Sequence, residues 1–182
     1  MNKYICLLRG VNVSGKNIIK MDALKLALEG LGFAQVKTYI QSGNFVFTSN
    51  AVQTLAIETL INEKIKEVFQ LDIPVLVIHE KDFKAIILAN KFLKESNIDP
   101  TKLHITYLSQ EPLAVYITAI NTTNFGNDLF EISSNAIFLY CPNGYGNTKL
   151  TNTFFEKKLK VSCTTRNWNT VLKLAEMLSE IN

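Results

Sequence analysis

The sequence predicts an α+β protein built from two ferredoxin-like (βαββαβ) subdomains in tandem, followed by a C-terminal helix. Three observations support this class. The hydrophobic pattern of the first half follows the order strand, helix, strand, strand, helix, strand. The second half repeats that order. The length of 182 residues suits two small modules, and 47% hydrophobic with 19% charged residues is an ordinary globular composition.

The first subdomain is predicted over residues 1–80 and contains a long polar loop at 10–20. Apolar residues at helical spacing indicate its helices, and short apolar or alternating runs indicate its strands. Gly43-Asn44 is predicted to form a two-residue type II′ hairpin turn. The predicted strands are 3–9, 36–41, 45–49 and 73–79; one helix begins at Met21 or Asp22, and the other covers 54–69.

The second subdomain is predicted over residues 81–182. A linking helix leads into it, and Asn167 is predicted to cap the C-terminal helix that closes it. Pro112 is expected at the start of a helix, where its missing N–H is tolerated. The predicted helices are 81–94, 112–120, 150–159 and 167–181, and the predicted strands are 103–109, 128–133, 135–141 and 161–165.

Composition excludes several classes of protein. No apolar run approaches the ~18 residues that a membrane-spanning helix needs, and the N-terminal apolar run is too short for a signal peptide. Cys6, Cys141 and Cys163 show no C-x-x-C spacing, so we expect reduced core thiols and a cytoplasmic location. His79 and His104 belong to no Cys/His cluster. We therefore predict no metal site, no cofactor and no membrane partner.

The basic residues are unevenly chosen. Of the nineteen Lys and Arg residues, the only arginines are Arg9 and Arg166, and both lie in polar stretches rich in Gly, Asn or Thr. A guanidinium offers a planar fork of donors that suits a carboxylate, a phosphate or backbone carbonyls. Each arginine could therefore brace two loops or contact a ligand. Residues 1–20 carry four bases and no acid.

The stretch Arg9–Asn17, RGVNVSGKN, misses the phosphate-binding P-loop pattern by one residue, because Asn17 stands where Ser or Thr would ligate Mg²⁺. A P-loop also needs a helix that begins at its Gly-Lys, but here the helical pattern begins at Met21 or Asp22. We therefore predict a polar loop and not a nucleotide triphosphatase site. Backbone N–H groups at the glycines, together with Arg9 and Lys16, could still bind an anion.

Topology gathers the polar segments. In a split βαβ unit the first two strands are parallel, so their carboxyl ends emerge at one edge of the sheet. This places the first loop beside the turn at 41–44, and in the second subdomain it places 142–149 beside 164–170. The candidate ligand-binding residues are Arg9, Asn12, Lys16, Gln41, Ser42, Asn44, Tyr145, Lys149, Arg166, Asn167 and Trp168.

A structural role is favoured for two of these candidates, since Asn167 can cap the final helix and Trp168 can pack against the sheet. Arg166 is different, because it follows a strand end and precedes a positively polarised helix terminus. No catalytic residue is assigned: the sequence has no G-x-S-x-G elbow and no evident base or nucleophile.

Four segments, LLRGVNVSGKN…KM, TYIQSGNFVF, PNGYGNTKL and TTRNWNTVLKLAEM, resemble in order the signature stretches of the bacterial family named domain of unknown function 1697. The resemblance implies two linked α+β subdomains of ferredoxin-like character and no established activity. The chain departs from the family pattern at Ser14, where Gly is usual, and at Asn147 or Thr148, where Ser is frequent.

Three functional hypotheses follow. The leading one is a cytoplasmic protein that binds an anionic ligand, a nucleotide or nucleic-acid phosphate, through Arg9, Lys16, Lys149 and Arg166. The second is an enzyme of unknown reaction in the same cleft between the loops, which is less favoured. The third is that these motifs only brace the two subdomains. The sequence predicts no particular protein partner.

Overall fold

The computed structural model describes residues 1–121 and 124–181. Within these ranges the chain alternates strands and helices in the predicted order. The strands are β1 (Asn2–Leu8), β2 (Ala34–Tyr39), β3 (Asn44–Ser49), β4 (Val75–His79), β5 (Leu103–Leu108), β6 (Leu129–Ser133), β7 (Ala136–Tyr140) and β8 (Cys163–Asn167). The helices are α1 (Met21–Glu29), α2 (Thr54–Phe69), α3 (Glu80–Leu88), α4 (Ala114–Asn121), α5 (Asn152–Leu159) and α6 (Trp168–Glu180).

The strands form two four-stranded antiparallel sheets. In the first sheet the order is β2-β3-β1-β4, and in the second it is β6-β7-β5-β8. In both sheets the first strand of the unit is central and pairs antiparallel with the third and the fourth. The protein is therefore a mixed α+β fold, as predicted.

The chain divides into two compact units. Unit 1 contains Met1–Ala85 together with the chain from Lys173 onward, and unit 2 contains Ile86–Leu172. The end of α6 belongs to unit 1 because Lys3 Nζ donates to Leu178 O at 3.4 Å and Lys37 pairs with Glu180 at 3.0 Å. The sequence-based division at 80/81 placed all of α6 in the second subdomain, and it stays a prediction.

Each unit packs one face of its sheet against its helices. Side chains alternate between the two faces of a strand, so every second residue of β1 and β3 enters this core. The core of unit 1 includes Tyr4, Cys6, Leu8, Phe45, Phe47, Ile57, Ile61 and Ile65, and that of unit 2 includes Leu108, Ile137, Leu139, Cys141, Phe155 and Leu159. The three cysteines are buried, and none of them forms a disulfide.

Two local predictions are wrong. The β2–β3 connection is not a two-residue type II′ turn, because Tyr39 pairs with Asn44 and four residues, 40–43, lie between the strands. Asn44 is fully buried in β3, and its amide closes the longer turn. The predicted linking helix ends early: α3 stops at Leu88, and Asn90 then caps a separate 3₁₀ helix, Lys91–Lys94, by accepting a bond from Phe92 N at 3.1 Å.

Candidate functional site

The loop Arg9–Lys20 closes on itself and has no P-loop geometry. Asn17 Nδ2 donates to Gly10 O at 2.9 Å, and Asn12 N donates to Asn17 O at 3.1 Å. A further bond of 3.0 Å from Lys16 N to Val13 O tightens the tip. Asn17, which replaces the P-loop hydroxyl residue, thus closes the base of the loop. Helix α1 begins at Met21, as the sequence predicts, whereas a P-loop helix would begin at Gly15-Lys16.

Asn12 fixes this loop against the neighbouring turn. Its Oδ1 accepts from Ile19 N at 2.9 Å, and its Nδ2 donates to Ile19 O at 2.9 Å and to Gln41 O at 2.7 Å. The last bond joins segments that are 29 residues apart in sequence. The structure therefore brings the loop and the turn at 40–43 together, as the topology argument predicts. The Asn12 amide is used in this bracing.

The backbone of the loop is strained and held in place. Asn12, Ser14 and Asn17 have φ values of 55°, 50° and 48°, in the left-handed region that residues other than Gly rarely adopt. Such conformations persist only where surrounding interactions over-determine them. The side-chain bonds of Asn12 and Asn17 supply such interactions at these two residues.

The cations of this loop differ in their surroundings. Lys16 is exposed at the tip, and within the part of the chain described here no hydrogen bond or ion pair engages its ammonium. Lys20, also exposed, precedes α1 and provides no side-chain cap for that helix. Arg9 is half-buried and donates its backbone N–H to Pro74 O at 3.0 Å. Asp22, in the first turn of α1, is the nearest acid along the sequence.

The turn residues divide between solvent and structure. Gln41 is exposed, whereas Ser42 is half-buried and its Oγ accepts from Asn44 Nδ2 at 2.8 Å. Asn44 Nδ2 also lies 3.4 Å from Tyr39 O. Asn44 therefore stabilises the turn from inside, and among the turn candidates it is Gln41 that is open to solvent.

The second group of candidates centres on Tyr145. Its ring stacks on His104 with centroids 4.8 Å apart and planes at 24°. Burial lowers the pKa of His104, against the smaller opposing effect of its contact with Lys102 O. Burial raises the pKa of Tyr145, because here too it disfavours the charged form. The Tyr145 hydroxyl lies near Thr165 but has no well-formed hydrogen bond to the described residues.

A chain of polar side chains lies behind this pair. Thr106 and Thr165 face each other across β5 and β8 with their Oγ1 atoms 2.7 Å apart. Thr165 Oγ1 donates to Asn152 Oδ1 at 2.6 Å, so Thr106 must be the donor in the first bond. Cys163 Sγ lies 3.6 Å from the same Asn152 oxygen. These side chains satisfy one another inside unit 2.

Arg166 lies on the other face of this sheet. It pairs in register with Ile105, whereas its neighbour Thr165 pairs with Thr106, and adjacent strand residues point to opposite faces. Its Nη1 donates to Thr165 O at 2.9 Å. Burial raises the pKa of Tyr107, and the nearby positive charge of Arg166 partly offsets this. The structure thus separates Arg166 from Tyr145, although both lie near one end of the sheet.

The remaining candidates of unit 2 have distinct positions. Asn167 Oδ1 accepts from Thr170 N at 2.8 Å and caps α6, as predicted. Trp168 is 6% exposed, and Lys149 is exposed. Among residues 1–121 and 124–181 no group of His, Cys, Asp and Glu is arranged to hold a metal ion. No helix in these ranges is long and apolar enough to cross a bilayer.

Sequence reasoning missed two carboxylates at the sheet edges. Glu58 Oε1 of α2 accepts from Val77 N of β4 at 2.8 Å, and Glu156 Oε1 of α5 accepts from Cys163 N of β8 at 3.2 Å. In each unit the last helix before the last strand thus protects an edge strand. No shared spacing marks the pair, because the two residues of each bond are 19 positions apart in unit 1 and 7 apart in unit 2.

Comparisons with known proteins agree with these two units. Residues 1–138 match the family described as Protein of unknown function (DUF1697). The chain belongs to this family. A conserved bacterial protein from Streptococcus pneumoniae has a similar solved structure: the sequences are 25% identical, the match covers 97% of this chain and 98% of that one, and the TM-score is 0.71. No curated protein matches the chain.

Proposed function

We propose that this DUF1697 protein binds a phosphate-bearing anion, of the nucleotide or nucleic-acid class, at the loop Arg9–Lys20. One observation carries the proposal: a strained and braced loop presents the Lys16 ammonium to solvent, within a stretch of twenty residues that contains no acid. Most exposed lysines are solvated and bind nothing. Here the backbone around the lysine is fixed before any ligand arrives, which reduces the entropy lost on binding.

The start of α1 supports the same ligand class. The first N–H groups of a helix have no partner within the helix and carry partial positive charge. In α1 they receive no side-chain cap, and the residue at the cap position, Lys20, adds a full positive charge. A phosphate that contacts Lys16 or Lys20 would also benefit from this field. Asp22 opposes it.

A titration with pyrophosphate, ATP and a single-stranded oligonucleotide tests the proposal. We expect saturable binding that weakens when the salt concentration rises from 50 to 200 mM. Lys16→Ala should weaken binding about three- to tenfold, and Asp22→Asn should strengthen it. Lys66→Ala, which removes an exposed lysine from α2, is the matched control and should have little effect. Unaltered melting temperature and no salt-sensitive binding by any probe would rule the proposal out.

The candidate residues of unit 2 lie outside the loop Arg9–Lys20 and stay predicted contacts. Lys149 and Tyr145 remain predicted ligand contacts, and Lys149→Ala in the same titration tests the first of them. Arg166 stays a predicted contact of an anion in unit 2, but its position on the other face of the sheet argues against one group of residues shared with Tyr145. A purely structural role is supported for Asn12, Asn44 and Asn167, because their amides are used within the fold.

We also propose that each unit is a ferredoxin-like module and that the protein acts in the cytoplasm. Read from the last strand, each sheet has the order fourth, first, third, second, which supports the split βαβ arrangement. The absence of a disulfide at Cys6, Cys141 and Cys163 supports a reducing compartment.

A further inference from the structure

Four edge strands border the two sheets, and three of them are protected. Exposed edges can pair with another chain, so proteins block them with bulges, charges or covering groups. Glu58 caps β4 and Glu156 caps β8. In β2 the register shifts between Ala34 and Lys37, which is a bulge or irregularity that interrupts the edge.

The fourth edge, β6, carries one charge at its centre, Glu131, but in the part of the chain that the structure describes it has neither a bulge nor a side chain that caps its outward backbone groups. Its five residues, Leu129–Ser133, pair with β7 in an unbroken register. No side chain of the described residues bonds to its outward backbone groups, and Leu129 is 42% exposed. This strand is therefore the edge of the molecule that is best suited to accept a further strand.

A cavity of about 460 Å³ lies along this strand. It is lined by Phe92, Phe125, Asp128, Leu129, Phe130 and Glu131. Phe130 and Glu131 are neighbours in a strand, and their side chains point to opposite faces of the sheet. A cavity that meets both residues lies at the sheet edge, where the side chains of an added strand would go.

The charge of this cavity selects the occupant. Glu131 already pairs with the Lys91 ammonium, which shows that the rim accepts a cationic side chain. Asp128 accepts a bond from Thr148 Oγ1 at 2.6 Å, but no cation of the described chain pairs with it. Apolar rings beside an uncompensated carboxylate suit the aliphatic stem and ammonium of a lysine.

A second copy of the chain fits less well. Glu131 is the central residue of β6, so antiparallel pairing of two β6 strands in full register would place the two Glu131 side chains opposite each other. Like charges directly opposite each other destabilise a strand pair. The charge pattern therefore favours a partner with basic residues over self-association.

We propose that β6 is a docking site for an extended, basic segment of a partner protein, which adds as a fifth strand and places a Lys or Arg side chain beside Asp128. Backbone bonds to β6 would supply affinity, and the cavity would supply selectivity for alternate side chains. This site lies in unit 2 and does not depend on the anion-binding loop.

The probe is a capped heptapeptide of alternating Lys and Val, compared with the matched peptide of Glu and Val. Binding is measured by fluorescence anisotropy and located by amide chemical shifts of the labelled protein. We expect the basic peptide to bind, to shift the amide resonances of Leu129–Ser133, and to lose at least about fivefold in affinity with Asp128→Asn. Asparagine keeps an oxygen that can accept from Thr148, so this variant should fold normally.

Two controls separate charge from strand addition. Glu111→Gln removes an exposed carboxylate of unit 2 outside the cavity and should leave affinity unchanged. A basic peptide with N-methyl groups on alternate residues keeps its charges but cannot complete the ladder, and it should bind much more weakly. Equal binding of the acidic or the N-methylated peptide, shifts confined to other strands, or dimerisation through β6 with no peptide binding would each overturn the proposal.

Discussion

The two units share a scaffold and differ in the loop that follows their first strand. In unit 1, Leu8 N donates to Gly43 O and Arg9 N donates to Pro74 O; in unit 2, Leu108 N donates to Asn135 O and Ser109 N donates to Ser162 O. These matched bonds make Leu8 equivalent to Leu108. After this point unit 1 inserts the braced loop Arg9–Lys20, whereas unit 2 passes through the shorter Ser109–Leu113 into α4.

The difference shows where unit 1 is longer than unit 2 requires for the same sheet order. Unit 2 builds the same sheet order with a shorter connection that carries an acid, Glu111, and no base. The long loop of unit 1 is therefore not required to close such a sheet. The loop contributes Val11 and Ile19 to the core of unit 1, and its extra length, tied down by Asn12 and Asn17, is the part for which we propose binding.

The largest expected effect comes from the point where the turn touches the first strand. A Cβ added at Gly43 would lie 2.7 Å from Leu8 Cβ, and Gly43 has φ +70°. We expect Gly43→Ala to lower the free energy of unfolding by about 2–4 kcal/mol, from overpacking together with left-handed strain. Chemical denaturation measures this change.

Gly144→Ala is the matched control for this effect. Gly144 has φ +88°, but an added Cβ would meet no atom within 4 Å. The variant should therefore show the conformational strain alone, about 1 kcal/mol. If both variants lose the same free energy of unfolding, the close approach of Gly43 to Leu8 adds nothing to the cost of the Gly43→Ala substitution.

A smaller effect is expected when the brace of the long loop is removed. Asn12→Ala deletes three hydrogen bonds from a half-buried side chain, and we expect a loss of about 1–3 kcal/mol. Because the loop would no longer be preorganised, anion affinity should fall although no cation is removed. Asn17→Ala deletes one side-chain bond, from Nδ2 to Gly10 O, and should destabilise less. Full anion affinity in Asn12→Ala would show that the brace serves only the fold.

The sequence predicts what depends on local pattern and fails where distant groups decide. The bounds of α2 match the prediction, since its apolar stripe and flanking residues define them locally. That the loop Arg9–Lys20 lies beside the turn at 40–43 could be predicted from the directions of the strands alone. By contrast, the partner of Asn12 is a backbone oxygen 29 residues away, and no local pattern identifies it. The prediction of a two-residue turn at Gly43-Asn44 was wrong for a related reason. Burial of Asn44 overrides the local preference of Gly-Asn for a short turn.

Arg166 shows how a small error in a boundary alters a predicted site. The last strand was predicted to end at 165, so Arg166 was expected in a loop, where no pleat determines the direction of its side chain. In the structure β8 continues to Asn167, so the pleat of the sheet fixes the face on which Arg166 lies. Tyr145 and Arg166 were grouped by sheet edge, and the alternation of side chains separates them.

The smallest expected effect concerns the capped edge strands, a feature that the two units share. Burial raises the pKa of Glu58, and the bond from Val77 N opposes this only in part. A carboxyl whose pKa is raised by folding favours the folded state below the unfolded pKa, and this contribution is lost as the pH rises through the folded value. Glu58→Gln keeps an acceptor for Val77 N and removes the charge. We therefore expect it to match the parent near pH 4 and to exceed the stability of the parent modestly at pH 7, as measured by urea unfolding at both values.

Truncation variants test whether the two caps are equivalent. Glu58→Ala and Glu156→Ala each remove the acceptor of an edge-strand N–H, and each should destabilise by about 1 kcal/mol. The bond of Glu156 is longer, 3.2 Å against 2.8 Å, so its loss should be the smaller of the two. If neither truncation matters, water satisfies these N–H groups equally well. The carboxylates would then act only to deter strand addition, and Glu58→Ala should convert β4 into a second edge that binds the basic peptide proposed for β6.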